Sequence, residues 1–128
     1  MRILAVVATL FAVAAPSKTI QLAIVHTVQG CHIWQTSHGQ AAATSLKLKK
    51  GDRITIRVSC PMDFQLVQVK GPKLVLGDPT LHTGTQRTFA FPKRGVYVLR
   101  ATNVQSSADM GLQTLGPDNV LRLTVTVS

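Results

Sequence analysis

Apolar residues fall on alternate positions over much of the chain. Ile20, Leu22 and Ile24 alternate with Thr19, Gln21 and Ala23. Leu46 and Leu48 alternate with Lys47 and Lys49, and Ile54, Ile56 and Val58 alternate with Arg53, Thr55 and Arg57. Near the end, Leu121, Leu123, Val125 and Val127 alternate with Arg122, Thr124 and Thr126. A period of two turns one set of side chains to a core and the other to water, which marks half-buried strands. Further strands are expected over 64–70, ended by Gly71-Pro72, over 87–91, and over 96–101 after the turn Pro92-Lys93-Arg94-Gly95. Residues 31–35 read as a short extended piece and 37–43 as loop. The clearest hairpin is expected from Leu46 to Val58 through Lys50-Gly51-Asp52. Residues 102–119 form a connection too long for a hairpin, a length at which loops are usually functional or disordered. No stretch sustains a helical period. Short strands spaced by turn signals predict an all-β fold, an antiparallel Greek-key β-sandwich.

Composition agrees with strands. The 5 acidic residues are all Asp, and a chain without Glu lacks a main residue of exposed helix faces. Val, Thr and Ile are abundant, as strands favour. At 128 residues the chain suits one domain with a real core.

The first residues change the picture of where the protein works. Arg2 precedes an apolar run over 3–15 broken only by Thr9, and Ala12-Val13-Ala14 has the small-x-small pattern of a cleavage site. The run is shorter than the about 20 residues that span a bilayer. A signal peptide is therefore expected over 1–15 and the folded domain over 16–128, in a secreted or periplasmic protein. In such an oxidising compartment cysteines can pair.

Charge narrows the partners. With 14 Lys and Arg the formal net charge is +9, and Lys47, Lys49, Lys50, Arg53 and Arg57 lie close together in sequence. Outside the cytoplasm nucleic acid is not an expected partner. An acidic redox partner protein or an anionic membrane surface is, because charge of one sign steers encounter. Adaptation to an acidic or salty medium accounts for the same charge. An enzyme is not expected: there is no Glu, no paired carboxylate near a His and no Ser-centred elbow. Gly71-Pro72 and Gly116-Pro117 are turn chemistry.

Two sulfur sites carry the candidate chemistry. Cys31 precedes His32 in Gly30-Cys31-His32-Ile33-Trp34, and Cys60 precedes Met62 in Cys60-Pro61-Met62. Thiolate, imidazole and thioether are the donors that copper prefers. Cys31 and His32 point to opposite faces if extended, whereas Cys60 and Met62 share one. A Cys31–Cys60 disulfide competes with the metal reading, and such a bridge contributes roughly 3 kcal/mol. His26, His38 and His82 have no companion in sequence and read as surface residues. Trp34 reads as a core aromatic or a shield for the Cys-His pair.

The run Leu46-Lys47-Leu48-Lys49-Lys50-Gly51-Asp52-Arg53-Ile54-Thr55-Ile56 resembles a hairpin of the cupredoxins. Thr88-Phe89-Ala90-Phe91-Pro92-Lys93-Arg94-Gly95-Val96-Tyr97 is similar to the aromatic strand and Gly-x-Tyr start of that family. Gly30 to Trp34, Leu66-Val67-Gln68 and Leu115 to Val125 resemble small exported cupredoxin-like proteins. The resemblance covers most of residues 18–128. It implies the sandwich fold and a copper cofactor used in electron transfer or copper handling. It also places the family's blue-copper Cys at Ala101 and one of its His ligands at Phe64, and no His follows in 102–128. The site it implies is therefore atypical and sulfur-rich: Cys31 as thiolate, His32 as imidazole, Met62 and Met110 as thioethers, and Cys60 as a second sulfur. The alternative is a metal-free binding or structural module of the same fold, held by the Cys31–Cys60 disulfide.

Overall fold

Each long strand buries its alternate positions. The structure, a computed structural model, describes residues 17–26, 32–104 and 120–128. The expected signal peptide and most of the long connection lie outside them. The strands are β1 (Thr19–His26), β2 (His32–Thr36), β3 (Gly39–Ala41), β4 (Ala43–Leu48), β5 (Arg53–Val58), β6 (Asp63–Lys70), β7 (Thr80–Leu81), β8 (Gln86–Ala90), β9 (Gly95–Val104) and β10 (Val120–Val127). They form two five-stranded sheets, in the orders β3-β2-β1-β5-β8 and β4-β10-β9-β6-β7. The inner faces meet over a core that includes Leu22, Ile24, Trp34, Ile54, Ile56, Phe64, Leu66, Tyr97, Leu99, Leu121 and Leu123.

The sandwich is mostly antiparallel, with two parallel pairings: β1 with β5, and β10 with β4. These follow from a correction to the expected hairpin over 46–58. β4 and β5 do not pair; they lie in opposite sheets. Leu46 and Leu48 on one, and Ile54, Ile56 and Val58 on the other, are all buried. These apolar faces oppose one another across the sandwich, and packed sheets stand about 10 Å apart. The turn between them therefore bridges two layers. Asp52 shapes it: its Oδ2 accepts the Lys49 N–H at 2.8 Å and its Oδ1 accepts the Lys18 N–H at 3.0 Å. One carboxylate thus fixes both this crossing and the start of β1.

The turn at 92–95 behaves alike, carrying the chain from β8 in one sheet to β9 in the other. Tyr97 secures it. Its hydroxyl donates to the Lys93 carbonyl at 2.6 Å and accepts the Lys93 N–H at 3.3 Å, a corner of the kind Greek-key sandwiches use. The region 37–43, expected as loop, contains the short strand β3, which pairs with β2. Trp34 lies wholly in the core, and its indole N–H donates to the Arg122 carbonyl at 3.0 Å. That bond joins β2 in one sheet to β10 in the other.

Strand directions gather particular residues at one end. β1, β5 and β9 finish there with His26, Val58 and Val104, while β2, β6 and β10 begin there with His32, Asp63 and Val120.

Candidate metal centre

His26 and His32 are direct register partners across the antiparallel β1–β2 pair. Such partners project from the same face of a sheet. His26 continues the phase of Leu22 and Ile24, and His32 that of Trp34, so both are on the core-facing side. Their ring centroids are 5.3 Å apart. His26 is exposed at the rim, whereas His32 is only 2% exposed. The edge of one ring meets the other where His32 packs against Phe64 of the opposite sheet, with centroids 5.2 Å apart. His32 thus faces inward, not toward solvent.

Neither ring nitrogen of His32 has a hydrogen-bond partner among the described residues. A buried polar atom without a partner costs about 1–3 kcal/mol. Burial, and secondarily the neighbouring His26, hold this imidazole below its ordinary pKa. The ring is consequently neutral at neutral pH, with a lone pair available for coordination.

The loop between β5 and β6 brings sulfur to the same end. Cys60 is 2% and Met62 8% exposed. Among the described residues Cys60 is a free thiol, and its Sγ donates a weak bond to the Met62 carbonyl at 3.7 Å. Burial pushes the thiol pKa up, so it keeps its proton at neutral pH, and only the thiolate is a strong ligand. The Asn103 amide donates to the Met62 Sδ at 2.8 Å, and the Asn103 Oδ1 is buried with no partner among the described residues. The loop is anchored by the Ser59 N–H to the Ile24 carbonyl at 2.9 Å and by the Thr83 hydroxyl, which donates to the Cys60 carbonyl.

Cys31 and Met110, the other expected ligands, lie outside the described residues. Phe64 and Ala101 sit on neighbouring strands β6 and β9 and are both fully buried. Apolar side chains therefore occupy the two positions where the resemblance locates a His and a Cys. Among the described residues, no three His, Cys, Asp or Glu side chains come together as a metal-binding group. His32, Cys60 and Met62 lie at the same end of the sandwich, and imidazole and sulfur are donor types that suit copper.

Three features escaped the sequence reading. His26 looked solitary, although its phase with Leu22 and Ile24 marks it as inward-facing. Asn103 follows the inward phase of Tyr97, Leu99 and Ala101, which was the available signal. His82 has two carboxylate neighbours, with Nδ1 3.3 Å from Asp63 and Nε2 3.5 Å from Asp78. Asp78, four residues before His82, was the local signal for one of them, whereas Asp63 comes from β6 and left no mark in the local pattern.

No protein-family profile matches the chain, and no curated protein matches it. Solved structures do. A purple cupredoxin from Nitrosopumilus maritimus superposes with a TM-score of 0.50 at 18% identity, covering 85% of this chain and 99% of that one. The multicopper oxidase McoA from the hyperthermophile Aquifex aeolicus gives 0.51 at 12% identity, covering 88% of this chain and 28% of the oxidase. Its 2F4 variant gives 0.52 at the same 12% identity. The chain thus spans under a third of that oxidase, and identities at this level speak to fold. The fold is a cupredoxin-like β-sandwich.

Proposed function

We propose that the protein is an exported copper-binding protein that acts in electron transfer or copper handling, through an atypical site rich in sulfur. The observation that carries this reading is His32: a buried imidazole with both nitrogens unpartnered among the described residues, at the sandwich end where Cys60 and Met62 also lie. His32 supplies the imidazole, Met62 the thioether, and Cys31, Cys60 and Met110 the further sulfur. Copper, when bound, supplies a one-electron couple. The chain's own part is to hold and shield the donors. The Asn103 amide orients the Met62 sulfur. Phe64 packs against His32 and keeps water from it, and an apolar shell of this kind tunes a metal's potential. Cys60 has to release its proton to serve as a ligand, so copper uptake through it is stronger at higher pH. A formal charge of +9 supports docking on an acidic redox partner or an anionic membrane surface.

The rival is a metal-free module closed by a Cys31–Cys60 disulfide; the apolar Phe64 and Ala101 favour it. Thiol counting on the expected mature chain, followed by Cu(I) and Cu(II) titration, separates the two. The expected result is two free thiols and one tightly bound copper, lost in Cys31→Ser. No free thiols together with no bound copper sinks the copper reading.

A further inference from the structure

The His26–His32 pair has a use that does not depend on either cysteine. We propose that these two imidazoles form a cross-strand chelate for a divalent transition-metal ion such as zinc(II) or copper(II), at the rim of the sandwich. This deepens the reading above, since it shares His32, but it replaces the sulfur ligands with a second nitrogen.

Three observations carry it. The register makes the two residues direct partners on one face, so both imidazoles project to the same side before any ion arrives. The spacing fits: a metal bound at about 2.0–2.1 Å from an imidazole nitrogen lies about 3.2 Å from the ring centroid. Centroids 5.3 Å apart then subtend about 110° at a shared ion, near the tetrahedral angle. Finally, His32 is buried with both nitrogens unpartnered among the described residues, while its ring position is set by Phe64. A ring placed this way has a coordinating nitrogen and no competing hydrogen bond. Exposed His26 gives the ion its route in from solvent. Two imidazoles leave further positions for water or an exogenous ligand, the arrangement of an exchangeable rather than a structural site.

Zinc(II) is the probe, because it is redox-inert and leaves thiols unoxidised. Calorimetric titration compares the native chain, His26→Gln and the double variant Cys31→Ser/Cys60→Ala. His26 is exposed at a strand end, so its replacement leaves the core intact, which far-UV circular dichroism checks. The expected result is one zinc per native chain, retained in the cysteine double variant and weakened at least about tenfold in His26→Gln. In the native chain, NMR signals of both the His26 and His32 rings shift on zinc addition, a readout that stands even where the double variant does not fold. Unchanged affinity in His26→Gln, or ring signals that stay still, overturns the imidazole chelate. Zinc lost with the cysteines and kept without His26 overturns it too, yet leaves the sulfur site standing. Binding that survives only through His26 and His32 does the reverse.

Discussion

Gly71 follows β6 with φ at +109°, a region that residues with a side chain rarely adopt. A Cβ there would stand 2.9 Å from the Tyr97 Cα and closer still to the Val96 carbonyl oxygen. Both neighbours are backbone of β9 and cannot swing aside. Gly71→Ala is therefore expected to destabilise the fold by about 3 kcal/mol, through strain and overpacking together. Urea unfolding checks it: the midpoint drops while the slope is unchanged. The sequence marked Gly71-Pro72 as the end of a strand, which is correct, but the crowding by β9 was invisible because it comes from residues far along the chain. The same limit governed the site. Cys60, Met62 and His32 could be picked out by the chemistry of their side chains alone. His26 and Asn103 could not, because their claim rests on a register partner in one case and a contact with Met62 in the other.

At the scale of elements, alternation located strands well and pairing poorly. The patterns around Ile54 and Leu123 place β5 and β10 within a residue or two. Yet an alternating run says which face is apolar, not which neighbour shares its ladder. Leu46–Leu48 and Ile54–Val58, joined by Gly-Asp, look the same whether they close a hairpin or cross between sheets. What selects the crossing is the parallel partner each finds elsewhere: β10 for β4 and β1 for β5. With neighbouring strands so divided, the sheets need ties across the core, and Trp34 is one. Trp34→Phe keeps an aromatic ring but deletes the N–H that reaches Arg122 at 3.0 Å, leaving a smaller side chain and an unanswered carbonyl. The expected loss is about 2–3 kcal/mol. Thermal unfolding measures it, and the far-UV spectrum of the native state should not change. A variant as stable as the parent would show that the indole bond between sheets contributes nothing net.

For the whole molecule, Asp52 links stability to pH. It is 4% exposed, and its carboxylate joins the β4–β5 crossing to the start of β1. The N–H groups of Lys49 and then Lys18 hold its carboxyl below the ordinary pKa of 3.8. The unfolded chain therefore takes up this proton more readily than the folded one. The resulting stabilisation is complete above the unfolded value and is lost as pH falls through the lower, folded value. A second acid effect acts in the same direction. The net charge of +9 rises as carboxylates neutralise and histidines charge, and self-repulsion then weakens the compact state. Two comparisons separate these causes. Added salt screens the repulsion between distant surface charges, with a Debye length of about 10 Å at 0.1 M, and leaves a short hydrogen bond to backbone nearly untouched. Asp52→Asn keeps the shape and one acceptor oxygen but cannot titrate. Its thermal midpoint is expected to lie below that of the parent at about pH 7, and the gap to narrow toward about pH 2.5 at high salt, as the folded chain begins to protonate Asp52. A gap of equal size at both pH values would assign the acid sensitivity to global charge alone, and would leave Asp52 as a shape-filling residue of the turn.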